Sequence, residues 1–422
     1  MRHRPSGLAC LCLSAAVAAG PAATPSAAAP CGRGAAARPG TWYVSTPPPA
    51  TRTPVRQALT GPYSALRAVA VDPADPRVVF VTDGGQVARS DDAGCSWRTV
   101  YTLPGAPASG PDGDTGEIRS IDVARVAGRT RVLLALDGAG NDTPYVARPV
   151  LVRSADGVTG WTPVTEAGFA AGVYDAERGR WAPVVRSSGG TAYAALPGPA
   201  GAVAYFRSTD GGATWALRSS PADPAAPVRL TGFAVNPWNA DELWEWGGRW
   251  SRGRERTTGL RRSTDGGATW TWLDPWPSYE RKPSWQSADV AWPRRGGPAR
   301  VLVFGEADDG DVEIDAPVLA WSGDGGKSFN AALPPTRTVL FEAAVTHLAN
   351  GDAVVVAPDR TAFRIAHRGR PPLRADWRTL PKPPESAAFA TAGYDAARAS
   401  GALPALVAVP GARTVQLMAV PK

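Results

Sequence analysis

Three stretches of this 422-residue chain gather side chains that could do chemistry. Gly247 to Arg256 carries Arg249, Trp250, Arg252 and Arg254. Asp274 to Trp285 adds Trp276, Tyr279 and Trp285. Glu306 to Asp315 is acidic and holds Asp308, Asp309 and Asp311. Aromatic faces beside guanidiniums and carboxylates suit a sugar or peptide ligand. Two carboxylates at a set separation could instead hydrolyse a glycoside, one as acid and the other as base or nucleophile. Clustered oxygens also suit a hard cation, but the spacing does not follow an EF-hand loop, and no metal site is assigned. The plainer account is a solvated acidic loop paired with the arginines, with Trp276 and Trp285 packed between structural units. Past the first residues the histidines are His347 and His367, too few for a histidine metal site or to point to a Ser-His-Asp triad. No cofactor motif is present.

The elements that must position these groups are set by a repeat. Ser208, Asp210, Gly212 and Trp215 belong to a box, Ser-x-Asp-x-Gly-x-Thr-Trp, that returns almost unchanged at Ser263, Asp265, Gly267 and Trp270. Looser copies are Ser90, Asp92, Gly94 and Trp97; Ser154, Asp156 and Trp161; and Ser322, Asp324, Gly326 and Phe329. The boxes lie roughly 55–65 residues apart, which fits a four-stranded propeller blade with one longer loop. Within each box the residues have local work. Gly takes the positive φ of a tight turn, Asp accepts backbone N–H groups, the hydroxyls close a polar network, and Trp packs beneath. Five equivalent turns around a ring are structural, because catalysis needs one convergent site.

Short β-branched and aromatic runs ending in Asp-Pro or Asn-Pro precede the boxes, as in Ala68 to Pro73 and Gly232 to Pro237. Blades are placed at about 62–104, 117–166, 171–221, 228–275, 284–334 and 338–381. Three strands follow, Ala387 to Ala392, Leu403 to Val409 and Thr414 to Val420, and Thr41 to Ser45 supplies the fourth. The reading is an all-β, seven-bladed β-propeller closed by an N-terminal strand, with six blades as the alternative. The acidic stretch then falls between the second and third strands of the fifth blade, on the face opposite the boxes.

The boxes, with Ala70-Val71-Asp72-Pro73 and Asp75-Pro76 upstream, resemble the Asp-box or BNR-repeat propellers. That superfamily includes bacterial sialidases, xyloglucanase-type glycosidases, sortilin-type receptors and photosystem II assembly factors. The resemblance covers nearly the whole chain and implies a fold, not one activity. A sialidase would place a Phe/Tyr-Arg-Ile-Pro motif before its first box. The nearest string here, Phe363-Arg364-Ile365-Ala366, lacks the proline and follows the last box. No catalytic residue is therefore carried over.

Residues 1–29 have the positive, apolar and small-residue regions of a Sec signal peptide, which implies a secreted protein. Residues 30–61 hold the closing strand and its crossover, and 62–422 the propeller. No further stretch is apolar enough for a membrane span, and a lipid anchor has little support. Cys10 and Cys12 leave with the signal, so Cys31 and Cys95 are expected to form one disulfide that locks the ring's seam. The net charge of +7 comes from scattered arginines among acids rather than a basic block, which argues against a nucleic-acid partner. The expected molecule is a monomeric, non-catalytic binding module for an extracellular carbohydrate or protein. A glycoside hydrolase is the alternative, and a structural envelope protein comes third.

Overall fold

The computed structural model describes residues 42–49, 66, 68–104, 118–136, 151–164, 183–197, 203–219, 228–251, 254–276, 284–307, 316–332, 344–347, 352–357, 359–366, 376–383, 406–410 and 414–419. These residues form seven antiparallel sheets. The first sheet is Ala68–Asp72, Asp75–Thr82, Gln86–Ser90 and Arg98–Thr102; the second is Ile118–Val126, Arg129–Leu136, Leu151–Ser154 and Thr162–Pro163. The third is Val184–Ser188, Thr191–Pro197, Val203–Ser208 and Ala216–Ser219. The fourth is Leu243–Ser251 and Arg254–Ser263 flanked by Val228–Val235 and Thr271–Leu273. The fifth contains Ser284–Ala291, Arg300–Ala307, Ala316–Ser322 and Asn330–Ala332; the sixth contains Ala344–His347, Ala353–Val356, Ala362–Ile365 and Trp377–Leu380.

The seventh sheet joins the two ends of the chain. Trp42–Val44 pairs antiparallel with Val415–Ala419, Trp42 opposite Met418, and Leu406–Pro410 lies on the other side. The N-terminal strand thus occupies the place expected from the sequence. The expected strand Ala387 to Ala392 lies outside the described residues, as do Cys31 and the proposed signal.

Each sheet buries both faces against neighbours, which explains strands that are apolar at consecutive positions. In Arg129–Leu136, Val132 and Leu134 pack with Phe80 and Val87 of the first sheet, whereas Leu133 and Ala135 pack with Ala194 and Phe206 of the third. Similar cores fill the next seams through Phe233 and Tyr205, Trp244 and Val301, and Phe304 and Val355. Tyr43 and Leu417 close on Val69 and Val79. The first strands of successive sheets touch in order from Ala68–Asp72 to Ala344–His347, and Leu406–Pro410 lies against Ala68–Asp72. The result is an ordered stacking of the first six sheets, with the seventh set against the first.

One local departure matters for function. The stretch Gly247 to Arg256 reads as a loop in the sequence, but pairing continues almost to its tip, with Trp250 opposite Glu255 and Ser251 opposite Arg254. Gly247 and Gly248 stay in the ladder, a register shift falls at Arg249, and the strands reach 9 and 10 residues.

Candidate functional site

The five boxes occupy the third-to-fourth-strand turns. In the third sheet Ser208 Oγ donates to Asp210 at 2.8 Å and accepts the Gly212 N–H at 2.8 Å. The Asp210 carboxylate accepts the Ala213 N–H at 2.9 Å and the Thr214 hydroxyl at 2.6 Å. The same pattern holds at Asp265, Asp324 and Asp156, and at Asp92 with Ser96 as donor. Burial opposes the charge on Asp210, yet these donors hold its carboxyl down to about 2. The box carboxylates are thus consumed by their own turns, as the sequence implies.

Box turns and first hairpin turns share one edge of each sheet: Gly211 donates to the Gly190 carbonyl at 2.8 Å, and Gly266 to Asp241 at 2.9 Å. The second-to-third-strand connections therefore define the other edge. The long hairpin of the fourth sheet places Arg249, Trp250 and Arg254 there, near its tip. In the fifth sheet Trp285 pairs with Gly305 and Ala307 with Ala316, so Trp285 and the strand ends at Ala307 and Ala316 lie at the same edge. Arg252, Tyr279, Asp308, Asp309 and Asp311 fall outside the described residues. Trp276 requires a correction. It is 1% exposed and packs with Trp244, Trp246 and Leu260, so it is part of the core and cannot face a ligand. Its apolar ring gains more from the seam than from the surface.

Beneath the hairpin are buried polar groups that the sequence reading passed over. Tyr205 of the third sheet donates to Glu245 of the fourth, and Arg261 bonds both, reaching Tyr205 Oη at 2.7 Å. Burial, then the neighbouring Glu245, push the Tyr205 hydroxyl well above its ordinary value, so it stays protonated. Burial opposes the Arg261 charge, but Glu245 outweighs it and raises the guanidinium. At the next seam Glu242 accepts Asn236 Nδ2 at 2.7 Å, Trp244 Nε1 at 3.2 Å, Arg262 Nε at 3.1 Å and Trp292 Nε1 at 3.0 Å. These acids are partnered inside the wall and serve packing. Their sequence signal was the pair of acids within the apolar run Glu242-Leu243-Trp244-Glu245-Trp246. Among the described residues no cluster of acids, histidines or cysteines is arranged to hold a metal.

A solved YCF48 bound to a D1 peptide superposes over 90% of this chain and 97% of its own, with 11% identity and a TM-score of 0.53. The chain is a β-propeller. An ancestral GH74 enzyme matches 74% of this propeller and 40% of its own chain, with 16% identity and a TM-score of 0.50. A Trypanosoma rangeli sialidase in complex with the inhibitor DANA shows 11% identity over 75% of this propeller and 54% of its own chain, with a TM-score of 0.39. No family model and no curated protein matches the sequence. At these identities the likeness is one of fold.

Proposed function

We propose that this β-propeller is an exported, seven-bladed, monomeric binding module without catalytic activity. Its ligand is an extracellular carbohydrate or protein held on the face opposite the boxes. The observation that carries the reading is the fourth-sheet hairpin. Its paired strands are longer than the corresponding described strands of the other sheets, and Arg249, Trp250 and Arg254 lie near its tip, at the edge to which Trp285 of the fifth sheet also belongs. At about 3.3 Å per residue, the extra length lifts the tip several ångströms further than a seven-residue strand would. The YCF48 structure gives general support, since a propeller of this build can hold a peptide. Export follows from the signal-like segment 1–29, and the Cys31–Cys95 bridge belongs to the same reading. Replacing Trp250 and Tyr279 by alanine together, then screening glycan and peptide arrays, tests the site. Loss of the wild-type ligand is expected; unchanged binding by the double variant would remove the site.

The second reading, glycoside hydrolysis, draws on the acidic sequence 308–315, which joins two paired strands of the fifth sheet, and on the GH74 likeness. Chromogenic glycosides separate the two. Turnover that disappears in Asp308→Asn, Asp309→Asn or Asp311→Asn would replace binding by catalysis.

A further inference from the structure

We propose that Trp272, on the outer strand of the fourth sheet, is a stacking platform for a pyranose ring. This rests on the binding-module reading and narrows its ligand to carbohydrate. Trp272 is 50% exposed, an uncommon state for the largest side chain when it sits on a regular strand. Corresponding positions, two residues past each box aromatic, hold Thr99, Pro163, Leu217 and Ala331, so the repeat does not demand an indole there.

The ring is held from behind. Trp272 pairs with Arg261, whose guanidinium carbon lies 4.9 Å from the indole centroid. Arg261 is itself fixed by Glu245 and Tyr205. A Cβ at Gly259 would overlap the Trp272 ring, so that glycine lets the indole pack closely over the third strand. An aromatic plane that is already immobile loses little entropy when a second flat surface meets it.

The chemistry of the surroundings selects the occupant. Among the described residues the exposed large apolar side chains are Trp272, Trp238 at 42% and Leu217 at 56%, carried on three different elements. A stable protein interface buries about 800 Å² per partner around a cluster of anchors, which isolated side chains do not supply. A sugar needs less, since one apolar ring face stacks while its hydroxyl rim meets polar groups. The strand Arg254–Ser263 also runs from beneath Trp272 toward the hairpin tip. The five steps along the strand from Gly259 to Arg254 span about 17 Å, a track for a short oligosaccharide between the two places.

Calorimetric titration of the full mature chain with cello-, xylo- and chito-hexaose tests this, with tryptophan fluorescence quenching in parallel. Trp272→Ala is expected to weaken binding at least tenfold and to abolish most of the quenching. Trp272→Phe should restore part of the affinity, and Trp238→Ala should bind as the wild type does. The Phe variant keeps the ring's packing on Gly259, so it answers for stability if the Ala variant folds poorly. Wild-type affinity in both Trp272 variants would overturn the platform while leaving the binding module intact. A wild-type protein that binds none of the three sugars also overturns it. A peptide-array hit would then preserve the module, and silence on both would remove the module as well.

Discussion

Arg153 Nε donates to the carbonyl oxygen of Gly211 at 3.2 Å, from the second sheet into the box turn of the third. The contact recurs around the ring. Arg89 reaches the Asp156 carbonyl at 3.3 Å, and Arg262 reaches that of Gly325 at 3.3 Å. Each of these arginines immediately precedes a box serine, so one box reaches to the next. At the third seam Arg207 pairs with Asp241 at 2.8 Å, and Arg218 takes over the reach, donating to Asp265 and Gly266. The box is therefore a fastener between sheets as well as a turn within one. Arg153→Leu is expected to lower stability by about 1–2 kcal/mol in chemical denaturation, because the Gly211 carbonyl loses a charged donor.

Glycines of the boxes differ sharply from glycines of open turns. Gly212 has φ +88°, and a Cβ there would press on Leu133 of the second sheet. Gly189 has φ +57° and open space around it. Gly189→Ala should cost about 1 kcal/mol of backbone strain, and Gly212→Ala clearly more, since packing is disturbed as well. Equal melting temperatures for the two variants would contradict this.

Acid should loosen the boxes together. The Asp210 and Asp265 carboxyls both titrate near about 2 in the fold, below the unfolded value near about 3.9. A depressed carboxyl stabilises the fold fully above the unfolded value, and that contribution is lost as pH falls through the folded one. Thermal melts should change little from pH 7 to about 5 on account of these groups, then fall steeply between about 4 and 2. Asp210→Asn should melt lower at pH 7 and lose less than wild type across the acid range.

The buried trio at the third seam should respond asymmetrically. Glu245→Leu leaves the Arg261 charge buried without its acid and is expected to cost about 3–5 kcal/mol. Tyr205→Phe removes one hydroxyl and should cost about 1–3 kcal/mol. A double-mutant cycle measured by urea unfolding should show coupling of at least about 0.5 kcal/mol.

Just past the closing strand, Ser45 donates its N–H to the Val415 carbonyl at 2.9 Å, and Thr46 ties the segment to the first box, donating to the Gly94 carbonyl at 3.0 Å and accepting Trp97 Nε1 on its own carbonyl at 2.9 Å. Removing residues up to Thr46 should expose the edge of Val415–Ala419 and lower the melting temperature by several degrees. Mass analysis of the mature, non-reduced protein should find Cys31 and Cys95 bridged; two free thiols would exclude the bond.

The sequence alone determined that the chain is a box-bearing propeller. Turn chemistry is local: Ser208, Asp210, Gly212 and Thr214 satisfy one another within seven residues, so their spacing announces the turn wherever the chain later packs. Strand Trp42–Val44 was also legible, because one strand was wanting at the far end and Thr41 to Ser45 could supply it. What only the tertiary structure decided depends on partners distant in sequence. Trp276 went to the core because a neighbouring seam was there to receive it, and no local pattern separates a buried indole from an exposed one. Glu245 and Arg261 pair across two strands of the fourth sheet, and Tyr205 joins them only when the third and fourth sheets stack. Trp272 is left half outside, its ring reaching over Gly259 on the neighbouring strand, two residues from its paired Arg261.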